Sequence, residues 1–544
     1  MLIKRISLSA TCLLSTFLSF AQERLVYHTV KTDAAKNILP WYNPDPGISY
    51  DHVLHLVWNF WDTMRRDING IPYYMNHQIW QPGVNESKGI GGDQFAMALS
   101  SWRLYYQYTG NEQVKENMKF LADYYLTHSL SPTNAAWPDI PFPYNTFIYS
   151  GVYDGDMVIG KDYTQPDKAG SFGMELVQLY KLMAGEDYPN TVHTRYLDAA
   201  VKIANTLARH VANGDENNSP IPFKVNVFTN ETGILKNNDR SGKVAGLSGY
   251  TTNWSGTLEL FIELQKLQAG ETELYRQAFD KIMTWMKKFP LQNNKWGPFF
   301  EDIPGWSDTQ INAITFAQFM MGHPEYFPGW QQEVKKIFDW VYEKLANDKW
   351  KKYGVIVIDE QTAYRQPGNS HTARQASAEL QYINLTGDRG QYSRAIRQLN
   401  WATYMVDKDG KNFYPTNAVW MTDGYGDYSR HYLRAMAAAP ELSPSEDHLL
   451  YSTSVVQHVF YKNQLSKYYF PAILNPTATE MHYATYDTIG TEIIRLIKKP
   501  PGVLFNNIAA KENDKANGYE WKSLNKGGVL TIHRANVRQV TILR

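Results

Sequence analysis

Met174-Glu175-Leu176-Val177-Gln178-Leu179-Tyr180-Lys181-Leu182-Met183, followed by Ala184-Gly185-Glu186 and an apolar-periodic run from Tyr196 to Val211, is the stretch that decides the fold. Apolar side chains recur at helical spacing on both sides of a glycine-bearing turn. The second helix must therefore run back antiparallel to the first, as an αα-hairpin. The same order recurs along the chain. Leu99 to Tyr108 turns at Thr109-Gly110-Asn111 into Val114 to Leu126, and Leu258 to Leu267 turns at Ala269-Gly270-Glu271 into Tyr275 to Phe289. Ala313 to Met321 turns at Gly322-His323-Pro324 into Trp330 to Leu345, and Ala376 to Leu385 turns at Thr386-Gly387-Asp388 into Tyr392 to Met405.

Links inside a hairpin are short, whereas those between hairpins are long, aromatic and rich in glycine: Ser129 to Gly173, Ala212 to Gly256, Leu291 to Asn312, Ala346 to Gln375 and Val406 to Arg430. This alternation gathers the long links at one end of the array, where binding and chemistry usually sit on a rigid scaffold. A helix near His52 to Arg66 and another near Tyr432 to Ala439 supply a sixth pair by joining the two ends, which favours a closed ring over an open solenoid. After about Lys462 the pattern changes to short β segments, at Tyr468 to Leu474, Thr479 to Thr485, Glu492 to Leu496, Val503 to Asn506, Val529 to His533 and Val537 to Leu543. They predict a small all-β domain. The expected organisation is a leader over 1–21, a helical ring over 22–465 and a β domain over 466–544.

Lys4 and Arg5, the apolar run from Ile6 to Phe20 and Ser19-Phe20-Ala21 have the form of a signal peptide cleaved after Ala21, so a periplasmic or secreted protein is expected. The run is shorter than the ~20 residues of a spanning helix, and no later stretch spans either. The only cysteine, Cys12, lies in this leader, which excludes disulfides and thiol chemistry in the mature chain. Acylation of Cys12 in a lipoprotein is the alternative, with Thr11 a poor neighbour for it. Lys+Arg and Asp+Glu are balanced at 54 each, so the chain has no cationic excess of the kind nucleic-acid binding needs. Aromatic residues make up 14% of the chain, more than a core usually requires, and flat rings suit the apolar faces of pyranoses as well as a helical core.

The hairpin array with its β tail resembles the six-hairpin (α/α)6-toroid carbohydrate-active enzymes, which include polysaccharide lyases and glycoside hydrolases of unsaturated uronides. The resemblance is architectural and covers nearly the whole mature chain. It implies an (α/α)6 toroid followed by a sandwich-like β domain, and an oligosaccharide or polysaccharide substrate. It does not by itself give a reaction.

Four polar clusters fall on the long links. Asp93, in Gly91-Gly92-Asp93-Gln94, is either an N-cap or a carboxylate at the ring mouth. Tyr149 to Asp167, with Asp154, Asp156 and Asp162, has oxygen donors for a calcium ion without the full loop pattern of an EF-hand, so no cofactor is expected, calcium being the exception left open. Trp296, Glu301, Asp302, Trp306 and Asp308 set carboxylates among rings, where a raised pKa suits a general acid and a pair gives glycoside hydrolysis; Asp308 can equally cap the next helix. The fourth cluster carries the most weight. It combines Tyr364, Arg365, Asn369, His371 and Arg374 before one helix with Asp423, Tyr425, Asp427, Tyr428, Arg430 and His431 before another.

That mixture suits removal of the C5 proton of a uronic acid. An arginine fork, Arg374 or Arg430, offsets the carboxylate, and His371, His431 or Tyr428 acts as base or acid. Asp93, Tyr364, Trp296, Glu301, Asp302, Trp306 and Tyr425 are the expected substrate contacts. Loss of a sugar at C4 makes a lyase and loss of a free hydroxyl a dehydratase. The alternatives are hydrolysis by the carboxylates, a passive sugar-binding repeat protein, and arginines that merely knit the rim through Glu379 or Asp427.

Overall fold

The computed structural model describes residues 23–63, 92–142, 162–184, 190–236, 244–299, 306–415, 423–461 and 480–544. The stretch 1–21 expected to be a leader lies outside them. Twelve helices among the described residues form six inner–outer pairs. The inner helices are α2 (Gly92–Thr109), α4 (Pro166–Met183), α6 (Ser255–Lys266), α8 (Gln310–Gly322), α10 (Asn369–Thr386) and α12 (Asp423–Ala438). Their outer partners are α3 (Glu112–His128), α5 (Asn190–Arg209), α7 (Thr272–Lys288), α9 (Trp330–Leu345), α11 (Tyr392–Thr403) and α1 (Pro46–Thr63). Each inner helix packs on the next, and α12 packs on α2, so the ring closes. The sixth pair is α12 with α1, formed from the two ends of the array as expected. Tyr50 Oη helps seal the join by donating to Asn400 Oδ1 at 2.7 Å.

The two rings of helices differ because their surroundings differ. Outer helices bury one stripe, as with Tyr275, Ala278, Phe279, Ile282, Met283 and Met286 of α7, and turn charged residues outward. Inner helices are covered by an outer helix behind and by neighbours on either side. In α10 nearly every residue from Asn369 to Leu380 is buried, polar ones included. This is why α10 and α12 start earlier than expected: their first turns are polar, and burial of those groups against one another is invisible to hydrophobic periodicity. Of the fourth cluster, Asn369, His371 and Arg374 of the first set and all of the second therefore sit within helices, while Tyr364 and Arg365 precede α10. Gly387 ends α10 at φ +78°, its amide donating to Ile383 O at 2.8 Å, a left-handed cap that a side chain would strain. The turn at Gly322 is built otherwise: Gly322 is the last helical residue and His323 the cap.

The β region is a sandwich of two five-stranded sheets. Its strands are β1 (His448–Ser452), β2 (Val456–Phe460), β3 (Glu480–Thr485), β4 (Gly490–Leu496), β5 (Val503–Phe505), β6 (Ile508–Ala509), β7 (Lys511–Glu512), β8 (Gly518–Ser523), β9 (Gly528–Arg534) and β10 (Gln539–Leu543). The sheet orders are β1-β4-β9-β8-β7 and β2-β3-β10-β5-β6, antiparallel except for β7 with β8. Strands β1 and β2 precede residue 466 and lie in the stretch read from the sequence as the end of the ring. The segment expected at 468–474 lies outside the described residues.

Strands β1 and β2, one from each sheet, and the turn that joins them dock the sandwich on the short-turn end of the ring. Leu449 joins the sandwich core while the next residue, Leu450, joins the ring core. Consecutive strand side chains point to opposite faces, so Leu449 and Leu450 reach opposite cores; the bulge at Leu450 then pairs Tyr451 with Ile493 and keeps Tyr451 on the ring side as well. A second bulge lies between Val456 and His458. Between them Gln457 turns to the ring and donates to Lys181 O at 2.9 Å and Ala184 O at 2.8 Å.

Candidate active site

The first turns of α10 and α12 bring much of the fourth cluster together around one carboxylate. Asp427 accepts hydrogen bonds from Ser370, Arg374, Arg430 and His431, with Arg430 Nε at 2.8 Å and His431 Nε2 at 3.1 Å. Arg374 Nη1 also donates to Gln310 Oε1 at 2.7 Å. Burial opposes charge on Asp427, but the two guanidiniums beside it hold its carboxyl well below the usual range. Burial drives the His431 imidazole down to about 3 and lowers Arg374 to about 10. His371 lies 4.0 Å from Glu360 Oε1, and burial, reinforced by Arg374, keeps it well below the ordinary histidine value. Pairing of both arginines on Asp427 is the knitted arrangement weighed as the alternative. Glu379 instead takes Arg394 at 2.7 Å and Gln375 at 2.9 Å.

An axial cavity of about 730 Å³ runs inside the ring, and Arg430 alone of the five expected catalytic residues lines it. Tyr428 faces the outer layer, where its hydroxyl donates to Ala402 O at 2.8 Å. His371, Arg374 and His431 stand behind the cavity wall, so the imidazoles and phenol expected as proton carriers do not reach it. Instead Asp427 orients Arg430 from behind, as a supporting group does for a contact residue.

The cavity holds charged residues that the sequence reading missed. Arg103 Nε lies 3.6 Å from Glu175 Oε2. Burial raises the Glu175 carboxyl above its ordinary value, offset in part by Arg103, Arg430 and Arg434. Arg434 is lowered to about 9 by burial and by repulsion from Arg430 and Arg103, and so remains a cation at neutral pH. Arg374 and Arg430 share Asp427 and Arg103 pairs with Glu175, but among the described residues Arg434 has neither ion pair nor side-chain hydrogen bond. These positions were signalled by single charges inside apolar helical runs: Trp102-Arg103-Leu104, Met174-Glu175-Leu176 and Leu433-Arg434-Ala435. A charge there has to face either a partner or a cavity.

The remaining expected contacts scatter. Trp296 is fully buried, between Phe316 and Trp340, and serves the core. Trp306 and Tyr364 are 42% and 49% exposed, away from the axial cavity. Asp308 caps no helix; it accepts from the backbone amides of Trp296 at 2.7 Å and Gly297 at 2.9 Å, and from Trp306 Nε1 at 2.8 Å. Asp93 and Tyr425 lie in the first turns of α2 and α12. Glu301 and Asp302 lie outside the described residues, as do Asp154 and Asp156 of the stretch considered for calcium. Asp167 at the end of that stretch is committed to Lys168 at 3.0 Å and Asn253 at 2.9 Å. No helix among the described residues is long and apolar enough to cross a membrane.

No family model matches the chain, and no curated protein matches its sequence. Solved structures do match its fold. A cellobiose 2-epimerase from Bacillus thermoamylovorans B4167 aligns with a TM-score of 0.52 at 15% identity, covering 71% of this chain and 97% of its own. A sugar epimerase from a ruminal bacterium aligns at 0.50 and 13% identity, covering 72% and 99%. A D-mannose isomerase aligns at 0.50 and 10% identity, covering 71% and 97%. At these identities the likeness is one of fold. The chain thus has the (α/α)6-toroid architecture found in carbohydrate-processing enzymes, with a β-sandwich docked on the short-turn end of its ring.

Proposed function

We propose that the protein is an exported carbohydrate-active enzyme that degrades uronate-containing oligosaccharides by β-elimination within the axial cavity. The observation that carries this reading is Arg434, a guanidinium without a protein partner among the described residues, beside two further arginines in a cavity of saccharide size. A guanidinium that no protein carboxylate binds directly, in a partly buried site, favours an anionic ligand, and a guanidinium fork matches a carboxylate. Arg434, helped by Arg430 and Arg103, would take the carboxylate of the uronic acid and so make its C5 proton removable. Glu175, whose raised pKa makes it a stronger base, would accept that proton. The electron pair of the C5–H bond becomes a C4–C5 double bond, the C4–O bond breaks with its pair on the leaving oxygen, and that oxygen takes a proton from water. This reading keeps Arg430 from the sequence expectation and moves the base from the histidines and Tyr428 to Glu175.

The test is ultraviolet absorbance during digestion of a panel of uronate oligosaccharides, with products weighed by mass spectrometry. The expected result is a rise from the conjugated double bond, with cleavage for a lyase or loss of one water without cleavage for a dehydratase. A fall would mean hydrolysis of an already unsaturated sugar, and no change in absorbance or mass across the panel would remove the uronate reading.

A further inference from the structure

The β-sandwich does more than cap the ring. The end of its strand β1 and the turn that follows line the same axial cavity, at the short-turn mouth, with Tyr451 and Thr453. Strand alternation sends Leu449 and Leu450 into the two cores, and the bulge at Leu450 turns Tyr451 to the ring side, where it lines the cavity. Tyr451 keeps 40% of its surface exposed, which is unusual for a large ring at a domain junction. Its neighbours are fixed: Ser452 Oγ donates to Glu492 Oε1 at 3.0 Å, and Ser454 Oγ to Asp487 Oδ2 at 2.8 Å. The turn between the two sheets is therefore braced, and it presents one aromatic side chain to the cavity.

The chemistry of this mouth differs from that around Arg434. Lys181 and Lys266 share Glu263, at 2.5 and 2.8 Å, and His323 sits between Glu259 at 2.9 Å and Glu325 at 3.1 Å, so each of these charged groups has a partner within the protein. What remains is amide: Gln381 and Asn384 line the mouth and, among the described residues, make no side-chain hydrogen bond. From Glu175 to Lys181 along α4 is roughly 9 Å at the rise of an α-helix, enough for the chain of a saccharide to continue past the arginines.

We propose that Tyr451, Gln381 and Asn384 form a saccharide subsite, in which the apolar face of a pyranose lies on the Tyr451 ring and the two amides bond its hydroxyls. The inference rests on the carbohydrate reading of the cavity but not on the elimination step. It makes the β-sandwich a determinant of substrate length, because only an oligosaccharide that already fills the arginine end extends to the mouth. A short substrate does not feel Tyr451 at all.

The experiment measures kcat and KM of the full chain on galacturonan oligosaccharides of increasing length, for wild type and for Tyr451→Ala, Tyr451→Trp and Gln381→Ala. The subsite is supported if Tyr451→Ala raises KM on the long substrates on the order of tenfold, leaves kcat and the shortest substrate unaffected, and is rescued by Tyr451→Trp, with Gln381→Ala acting in the same direction. Equal effects at every length, or none, would overturn it. If wild type turns over none of these substrates, the elimination reading fails separately, and calorimetric binding of the same oligosaccharides decides the subsite. Affinity that grows with length in wild type and not in Tyr451→Ala upholds it. Affinity that is absent or independent of length overturns it.

Discussion

Two arginines on neighbouring helices have opposite roles here. Arg374 is fully buried and bound to Asp427 and Gln310, so Arg374→Ala leaves a buried carboxylate short of a partner and should cost about 3–5 kcal/mol of stability; chemical denaturation measures this directly. Arg434 has no such partner among the described residues, so Arg434→Ala should leave the unfolding midpoint close to wild type while lowering kcat/KM on uronate substrates on the order of a hundredfold. A similar activity loss with a large destabilisation would mean that Arg434 is structural. Glu175→Gln removes a base but keeps the shape, and its expected signature is a fall in kcat of roughly 10²–10⁴ with the fold retained by circular dichroism. At this scale the sequence was only partly legible. The residue types of the fourth cluster do converge, but which arginine meets a carboxylate and which meets open space depends on helix phase. That information is absent from a stretch such as His431-Tyr432-Leu433-Arg434, where buried and cavity-facing polar residues alternate within one turn.

At the scale of elements, inner helices must approach closely to leave one coherent cavity. One close approach is α4 with α6, where a Cβ on Gly170 would lie 2.8 Å from Thr257 Cβ and 3.0 Å from Thr257 Cα, and one on Gly256 would lie 2.7 Å from Ser171 Cα. Backbone contacts of this kind cannot be relieved by a rotamer change. Gly170→Ala is therefore expected to destabilise by about 1–3 kcal/mol, read from urea denaturation; a neutral effect would mean that α4 and α6 separate freely. The five hairpins were legible because their tight turns and the stripes of the outer helices obey simple periodicity, and the sixth pair because one helix was left over at each end of the array. The starts of the inner helices were not, since buried polar residues such as Asn369, Ser370 and Thr372 read as loop by composition. Strands β1 and β2 were missed for a related reason: each is five residues long, and their bulges break the alternation by which a strand is recognised.

For the whole molecule, burial of neutral histidine links stability to pH. The unfolded chain takes up protons at His371 and His431 near their ordinary value of 6.5, whereas the folded chain resists until far lower, about 3 for His431. Folded-state pKa values below the unfolded ones give stability that is present above pH 6.5 and lost as pH falls toward that lower limit. The slope is about 1.4 kcal/mol per pH unit for each histidine that stays neutral. His55 and His323, whose values are raised by Asp51 and by Glu259 with Glu325, work in the opposite sense and offset part of this loss. Denaturation midpoints should fall from pH 7 toward pH 5, and His431→Asn should flatten that fall; an unchanged slope would show that His431 is charged in the folded ring.

The central claim is that the axial cavity receives an anionic saccharide through Arg434. The most direct measurement is calorimetric titration of wild type and Arg434→Ala with a uronate oligosaccharide and with its carboxyl-reduced, neutral counterpart. Wild type is expected to bind the uronate more tightly than the neutral sugar, by on the order of tenfold or more, and Arg434→Ala to lose that preference. Equal affinity of wild type for the two sugars, or a preference that survives in Arg434→Ala, would contradict the account.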